Sequence, residues 1–162
     1  MFRKLACVVA ICTVLPLAGA YASGPLYPDH HASEPAVSPG LGRIYIYRPE
    51  AFFPSALEPA VKIDGAKVGR SEPGTYFYVD RPPGTYTIST TTEKDEPLSL
   101  HLDAGQTVYI RFRISAGFII GHVIPALVDE ARGLSEIKLC QFLGTGAPPA
   151  ATDTPAQTPP KD

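Results

Sequence analysis

Little of what reactive or membrane chemistry needs is present in this chain. It has 3 cysteines in 162 residues, and two of them, Cys7 and Cys12, lie in an apolar leader. Once the leader is removed Cys140 stands alone, which excludes an intramolecular disulfide even in a compartment that permits one. Stability therefore has to come from packing. No clustered basic face is found, so a nucleic-acid footprint is excluded. Beyond the leader no apolar run is long enough to span a bilayer. Catalytic side chains are not grouped either, and no strand-turn-helix elbow frames a serine.

What is present begins with an export signal. Arg3 and Lys4 form a positive n-region, Leu5 to Leu17 is an apolar run of signal-peptide length, and Pro16 breaks it. Small residues precede cleavage after either Ala20 or Ala22, so residues 1–22 are assigned to the signal peptide with both sites open. Losing Arg3 and Lys4 makes the formal charge of −2 more negative by two. A lipobox needs a cysteine preceded by small residues at the end of the apolar run. Cys7 comes too early and Cys12 follows Ile11, so no lipid anchor is expected.

Composition divides the remainder into three. Residues 23–41 are dense in Pro, Ser, Gly and Ala and read as a flexible spacer. Residues 42–143 hold the alternating pattern of one domain, enough for a single core. Residues 144–162 are rich in Pro, Thr and Ala and too poor in large apolar side chains to order themselves.

The domain reads as an all-β fold, a single antiparallel β-sandwich of about 7–8 short strands with one short C-terminal helix. Arg43 to Arg48 is apolar and aromatic on both faces, which suits a central strand ended by Pro49. Ala60 to Ile63 and Lys67 to Arg70 flank Asp64-Gly65, a strong two-residue hairpin signal. Thr75 to Val79 is followed by the turn at Pro82-Pro83-Gly84, and Thr85 to Thr90 places Tyr86 and Ile88 on one face. Leu98, Leu100 and Leu102 alternate with polar residues. In the longest strand Val108, Ile110, Phe112 and Ile114 face inward, while Tyr109, Arg111 and Arg113 face outward. Leu127-Val128 forms a last short strand, and Leu134 and Ile137 sit at helical spacing within 130–139. Cys140 reads as a small buried core residue.

The polar clusters have plain structural roles that account for them better than chemistry does. Asp29, His30 and His31 have metal-ligand character, but adjacent histidines on a mobile spacer do not preorganise a site, so no metal and no cofactor is expected. Ser115, His122 and Asp129 make a triad only on paper, lacking any frame for an oxyanion. Glu93, Asp95 and Glu96, with Lys94 among them, read as a solvated loop. No catalytic residue is assigned, and the protein is not expected to be an enzyme. That would change if a pocket gathered two or more of His101, His122, Asp80, Glu93 and Arg111.

The stronger candidates are apolar and aromatic. Phe52, Phe53 and Leu57 crowd a loop between strands, serving either as a plug over the open end of the sandwich or as a contact patch continued by Phe118. Tyr45, Tyr47, Tyr76 and Tyr78 make a tyrosine-rich sheet face, and if their strands pair they become cross-strand neighbours. These eight residues are the candidate partner-binding set.

Several of these segments together carry a resemblance. Gly42 to Pro49, Val61 to Gly65, Pro73 to Tyr78, Pro82-Pro83-Gly84 and Ala104 to Arg111 resemble the bacterial domain-of-unknown-function family numbered 2846. The hairpin and turns in the middle are also similar to the PEGA group of exported β-sandwich modules. The resemblance implies an envelope-associated β-sandwich without established activity or catalytic residues. Many relatives look like lipoproteins, which this chain does not. The expectation is an exported periplasmic or cell-envelope module that binds or assembles with an envelope protein. A carbohydrate or peptidoglycan binder, built on a tyrosine groove bordered by Arg48, Arg70 or Glu93, is the alternative, and an enzyme the remote one.

Overall fold

The computed structural model describes residues 24–50, 57–92, 97–115 and 122–146. Helix α1 is Tyr27–His31, and the strands follow as β1 Gly42–Arg48, β2 Ala60–Ile63, β3 Ala66–Arg70, β4 Thr75–Arg81 and β5 Gly84–Thr90. The chain continues with β6 Leu98–Leu102, β7 Thr107–Ser115, β8 His122–Val128, α2 Glu130–Ile137 and β9 Gln141–Thr145. Among the described residues there are nine strands in two sheets, ordered β8-β7-β1-β4-β9 and β3-β2-β5-β6.

The β-sandwich and its C-terminal helix are as the sequence indicates. The five-stranded sheet is mixed, however: β1 pairs with β7 in parallel and β4 with β9 in parallel. Parallel neighbours need long crossovers, which leave no mark on local periodicity. The hairpin at Asp64-Gly65 forms with positive φ at both residues, 49° and 80°, the backbone of a tight primed turn. Its register is pinned further by Thr87, whose N–H donates to Asp64 Oδ1 at 2.7 Å.

Alternation on the strands builds the inner layer between the sheets. Ile44, Ile46, Phe77, Val79, Ile110 and Phe112 from one sheet meet Val61, Ile63, Ile88, Leu100 and Leu102 from the other, all buried. Each such side chain contributes about 1.5–3 kcal/mol by leaving water. Leu57 and Leu143 pack against its margin. Gly69 lets the edge strand β3 approach this layer, since a Cβ there would lie 2.6 Å from the Phe77 ring.

A second core lies on the opposite face of the five-stranded sheet. Period two puts Tyr45 and Tyr47 of β1, Tyr76 and Tyr78 of β4 and Tyr109 of β7 on that face, where α1 and α2 cover them and Phe142 of the edge strand β9 packs alongside. Tyr109 points outward as its alternation indicates, yet it is 4% exposed, roofed by α2. One expectation is corrected, the flexible spacer. Residues 24–41 are part of the packed unit, with Tyr27 at 3% exposure and the chain bonded to β9 through Tyr27 N to Cys140 O. Their Pro and Ser content hides one aromatic and one acid that hold the segment down. Strand β9 also runs past 143, to Thr145.

Candidate functional site

Two carboxylates organise the outer layer. Glu34, in the segment between α1 and β1, has its side chain 2% exposed. It accepts hydrogen bonds from the hydroxyls of Tyr45 and Tyr76, the latter at 3.3 Å. The Nδ1 atoms of His30 and His31 each lie 3.0 Å from one of its oxygens. Arg43 Nη1 approaches at 3.5 Å. Burial alone would push this carboxyl up, but the bonds from Tyr45, His31 and His30 outweigh it and hold Glu34 below its ordinary value. The same burial, with the carboxylate opposite, pushes the Tyr45 and Tyr76 hydroxyls well above theirs.

Glu136 plays the matching part for α2. It accepts from Tyr47 at 2.8 Å, pairs with Arg111 at 2.8 Å and meets Arg132 one turn back at 3.0 Å. Desolvation raises its carboxyl, and Tyr47 and Arg132 more than offset this, so the net shift is downward. Helix α2 begins at Asp129, whose carboxylate accepts the Arg132 N–H at 2.9 Å, satisfying one of the free amides of the first turn. Gly133 seats the helix, because a Cβ there would fall 2.4 Å from the Tyr109 ring.

Aromatic contacts tie the layer together. Tyr45 stacks on Tyr109 at 5.3 Å, Tyr27 on His31 at 4.7 Å and His30 on Phe142 at 3.6 Å. Arg43 sits 4.1 Å above the Tyr78 ring and holds Asp80 with two bonds, Nε to Oδ1 at 2.7 Å and Nη2 to Oδ2 at 2.9 Å. Cys140 is fully buried here and burial pushes its thiol up to about 12, so it is a packing residue and not a nucleophile.

Between the 34–37 segment and α2 the layer opens into a groove of about 410 Å³, bordered at its base by the nearly buried Tyr45 and Tyr109 and walled by Glu34, Val37, Arg43, Glu130 and Leu134. A second depression of about 380 Å³ shares Thr107, Tyr109 and Glu130 with it and ends at Leu127, which is 51% exposed. The two make one elongated depression across β7. Its unshielded charge is acidic: Glu130 is exposed, and Arg43 is already neutralised by Asp80 and Glu34. Tyr27 also lines it, with a buried hydroxyl that makes no hydrogen bond.

The candidate residues from the sequence are distributed unevenly. Tyr45, Tyr47, Tyr76 and Tyr78 are brought together, and they pair across strands as Tyr45 with Tyr78 and Tyr47 with Tyr76. They lie beneath the helices, at 0–5% exposure, so their ring faces are not offered to a ligand. Leu57 packs against the inner core. Phe52, Phe53 and Phe118 lie outside the described residues, as do residues 1–22, the Glu93 to Glu96 loop and the tail from 147. Arg48 and Arg70, expected at the border of an aromatic groove, lie away from the tyrosines, Arg48 on the inner face of β1 and Arg70 on β3 of the other sheet. The paper triad is not assembled: His122 bonds to Thr92 O at 2.9 Å, and Asp129 caps α2 at the other end of β8. His101 turns to Asp103, Asp80 to Arg43 and Arg111 to Glu136. Among the described residues no group of three His, Cys, Asp or Glu is placed to hold a metal ion, and no helix is long and apolar enough to cross a membrane.

Glu34, Arg43, Tyr109, Glu130 and Glu136 are residues that sequence reasoning passed over. One signal was available: His30 and His31 precede Glu34 by four and three residues, the spacing at which side chains on a helical turn meet.

Two β-sheets face to face, with a polar aromatic layer roofed by helices on one outer face, define a helix-covered β-sandwich. The chain belongs to the family described as Protein of unknown function (DUF2846), whose model matches residues 38–123, a little over half of it. No curated protein and no solved structure matches it.

Proposed function

We propose that this is a non-enzymatic module, exported to the cell envelope, that binds an extended segment of a partner protein in the groove between the 34–37 segment and α2. The observation that carries this reading is the groove's shape and charge. It is elongated, it combines Val37, Leu134 and Leu127 with an acidic rim at Glu130, and its cations are already paired. Such a surface suits a chain presenting one basic and two or three apolar side chains. The leader supports export. A glycan reading needs exposed ring faces, and the tyrosines are roofed over.

Site-specific photo-crosslinking in intact cells tests it, with the crosslinker at Val37 or Leu134 and a control on the far sheet at Lys67. A single protein adduct from both groove positions and none from Lys67 is expected. Adducts with glycan alone, or no adduct from either groove position, would overturn the reading.

A further inference from the structure

Two arginines on β1 are almost fully buried, and they are in opposite circumstances. Arg43, on the outer face, is 4% exposed and its Nε–Nη2 edge grips both oxygens of Asp80. Arg48, in phase with Ile44 and Ile46 on the inner face, is 2% exposed. Its Nη1 donates to Leu57 O at 2.6 Å and to Ser71 O at 3.0 Å. Its Nε and Nη2 have no hydrogen-bond partner, and neither has the Oγ of Ser71, itself 3% exposed.

A guanidinium stays charged in a protein, and a buried charge without a counterion costs several kcal/mol. Among the described residues no carboxylate is within ion-pair distance of Arg48. Glu58 acts on it only through space while bonded to Arg70 at 3.3 Å, and the sequence between Glu50 and Glu58 contains no acid. The unfilled edge is the one that binds a carboxylate side-on with two parallel bonds, as Arg43 demonstrates on the same strand. Ser71 gives its carbonyl to the same guanidinium and carries a second buried polar group without a partner, its hydroxyl.

We propose that the Nε–Nη2 edge of Arg48 and the Ser71 hydroxyl form a receptor for a small free carboxylate at the end of the inner layer. With both residues about 2–3% exposed, a side chain reaching in from another protein is excluded, and the proposal is confined to carboxylates as small as formate or acetate. The site lies on the other face of the sheet from the groove and is independent of what binds there.

Thermal melts of the purified protein in sodium formate, acetate, phosphate or chloride at matched ionic strength test it. Formate or acetate is expected to raise Tm by several degrees with saturation, as a ligand of the native state does. Arg48→Gln should abolish the response. Ser71→Ala, which keeps the buried guanidinium and its carbonyl bonds, should move the half-saturating concentration severalfold upward, and it carries the test if Arg48→Gln does not fold. Equal melts in all four salts, a response to phosphate alone, or an unchanged response in both variants would overturn the proposal.

Discussion

The inner and outer layers of the five-stranded sheet are built from the same strands and held by different physics. Inside, Ile44, Ile46, Val79, Ile110 and Phe112 meet the second sheet through apolar contact alone, a non-directional force proportional to area. Outside, Tyr45 and Tyr76 are held by the buried carboxylate of Glu34 and Tyr47 by the half-buried carboxylate of Glu136, each flanked by an arginine. One layer tolerates any side chain of the right volume; the other depends on particular atoms at hydrogen-bond distance. A strand can thus carry a conventional core on one face and a polar clasp on the other. The groove opens in the clasped layer.

The largest separation of the two layers is expected at alkaline pH. Burial places the hydroxyls of Tyr27, Tyr45, Tyr47, Tyr76, Tyr78 and Tyr109 above their ordinary value. Groups raised in the folded state contribute stability that is complete below the unfolded value of about 10 and is lost as pH climbs toward the folded values. Phenolate absorbance should therefore rise in one step together with the loss of β circular dichroism. A gradual titration of all tyrosines in the folded protein would mean that the outer layer is open to solvent.

Truncation of the inner layer comes next. Phe112→Ala is expected to cost about 3–5 kcal/mol in urea melts, with no dependence on pH between 4 and 8. Glu34→Gln should cost roughly 2–3 kcal/mol at pH 7, through weakened charge-assisted bonds, and its cost should depend on pH. The Glu34 carboxyl is lowered in the folded state, so its contribution is present above the unfolded value near 4.3 and lost as pH falls through the folded one. The wild-type advantage over Glu34→Gln should shrink steadily below about pH 4.5. A constant difference would remove Glu34 from the centre of the clasp.

Smaller effects sharpen the contrast. Gly133→Ala favours an isolated helix by about 1 kcal/mol, yet here it should destabilise by roughly 1–2 kcal/mol, because the added methyl meets the Tyr109 ring. Tyr45→Phe, which preserves shape and removes one donor to Glu34, is expected to cost about 1 kcal/mol. If Gly133→Ala stabilises, α2 is not seated on the tyrosines.

How much of this could be read in advance differs by layer. The inner residues announce themselves through period two, and the hairpin at Asp64-Gly65, the turn before Gly84 and the helix around Leu134 and Ile137 follow from local rules. The tyrosines also pair as their alternation suggests. Their burial was not legible, because a tyrosine on an outer face reads the same whether water or a helix lies above it. The 24–41 segment misled for a related reason: its composition resembles a spacer, and the few residues that anchor it, Tyr27 and Glu34, act through partners distant in sequence. Glu34 meets Tyr76 from 42 positions away, and Tyr47 meets Glu136 across 89.

By itself, then, the sequence determined the β-sandwich, most strands and the burial of Cys140, since each rests on composition or on contacts a few residues apart. Tertiary structure alone decided the parallel pairings, the roofing of the tyrosine face, the two carboxylate clasps, the groove between them and the unfilled edge of Arg48. All of those are juxtapositions of distant segments, and local propensity carries no information about which distant partner a side chain will meet.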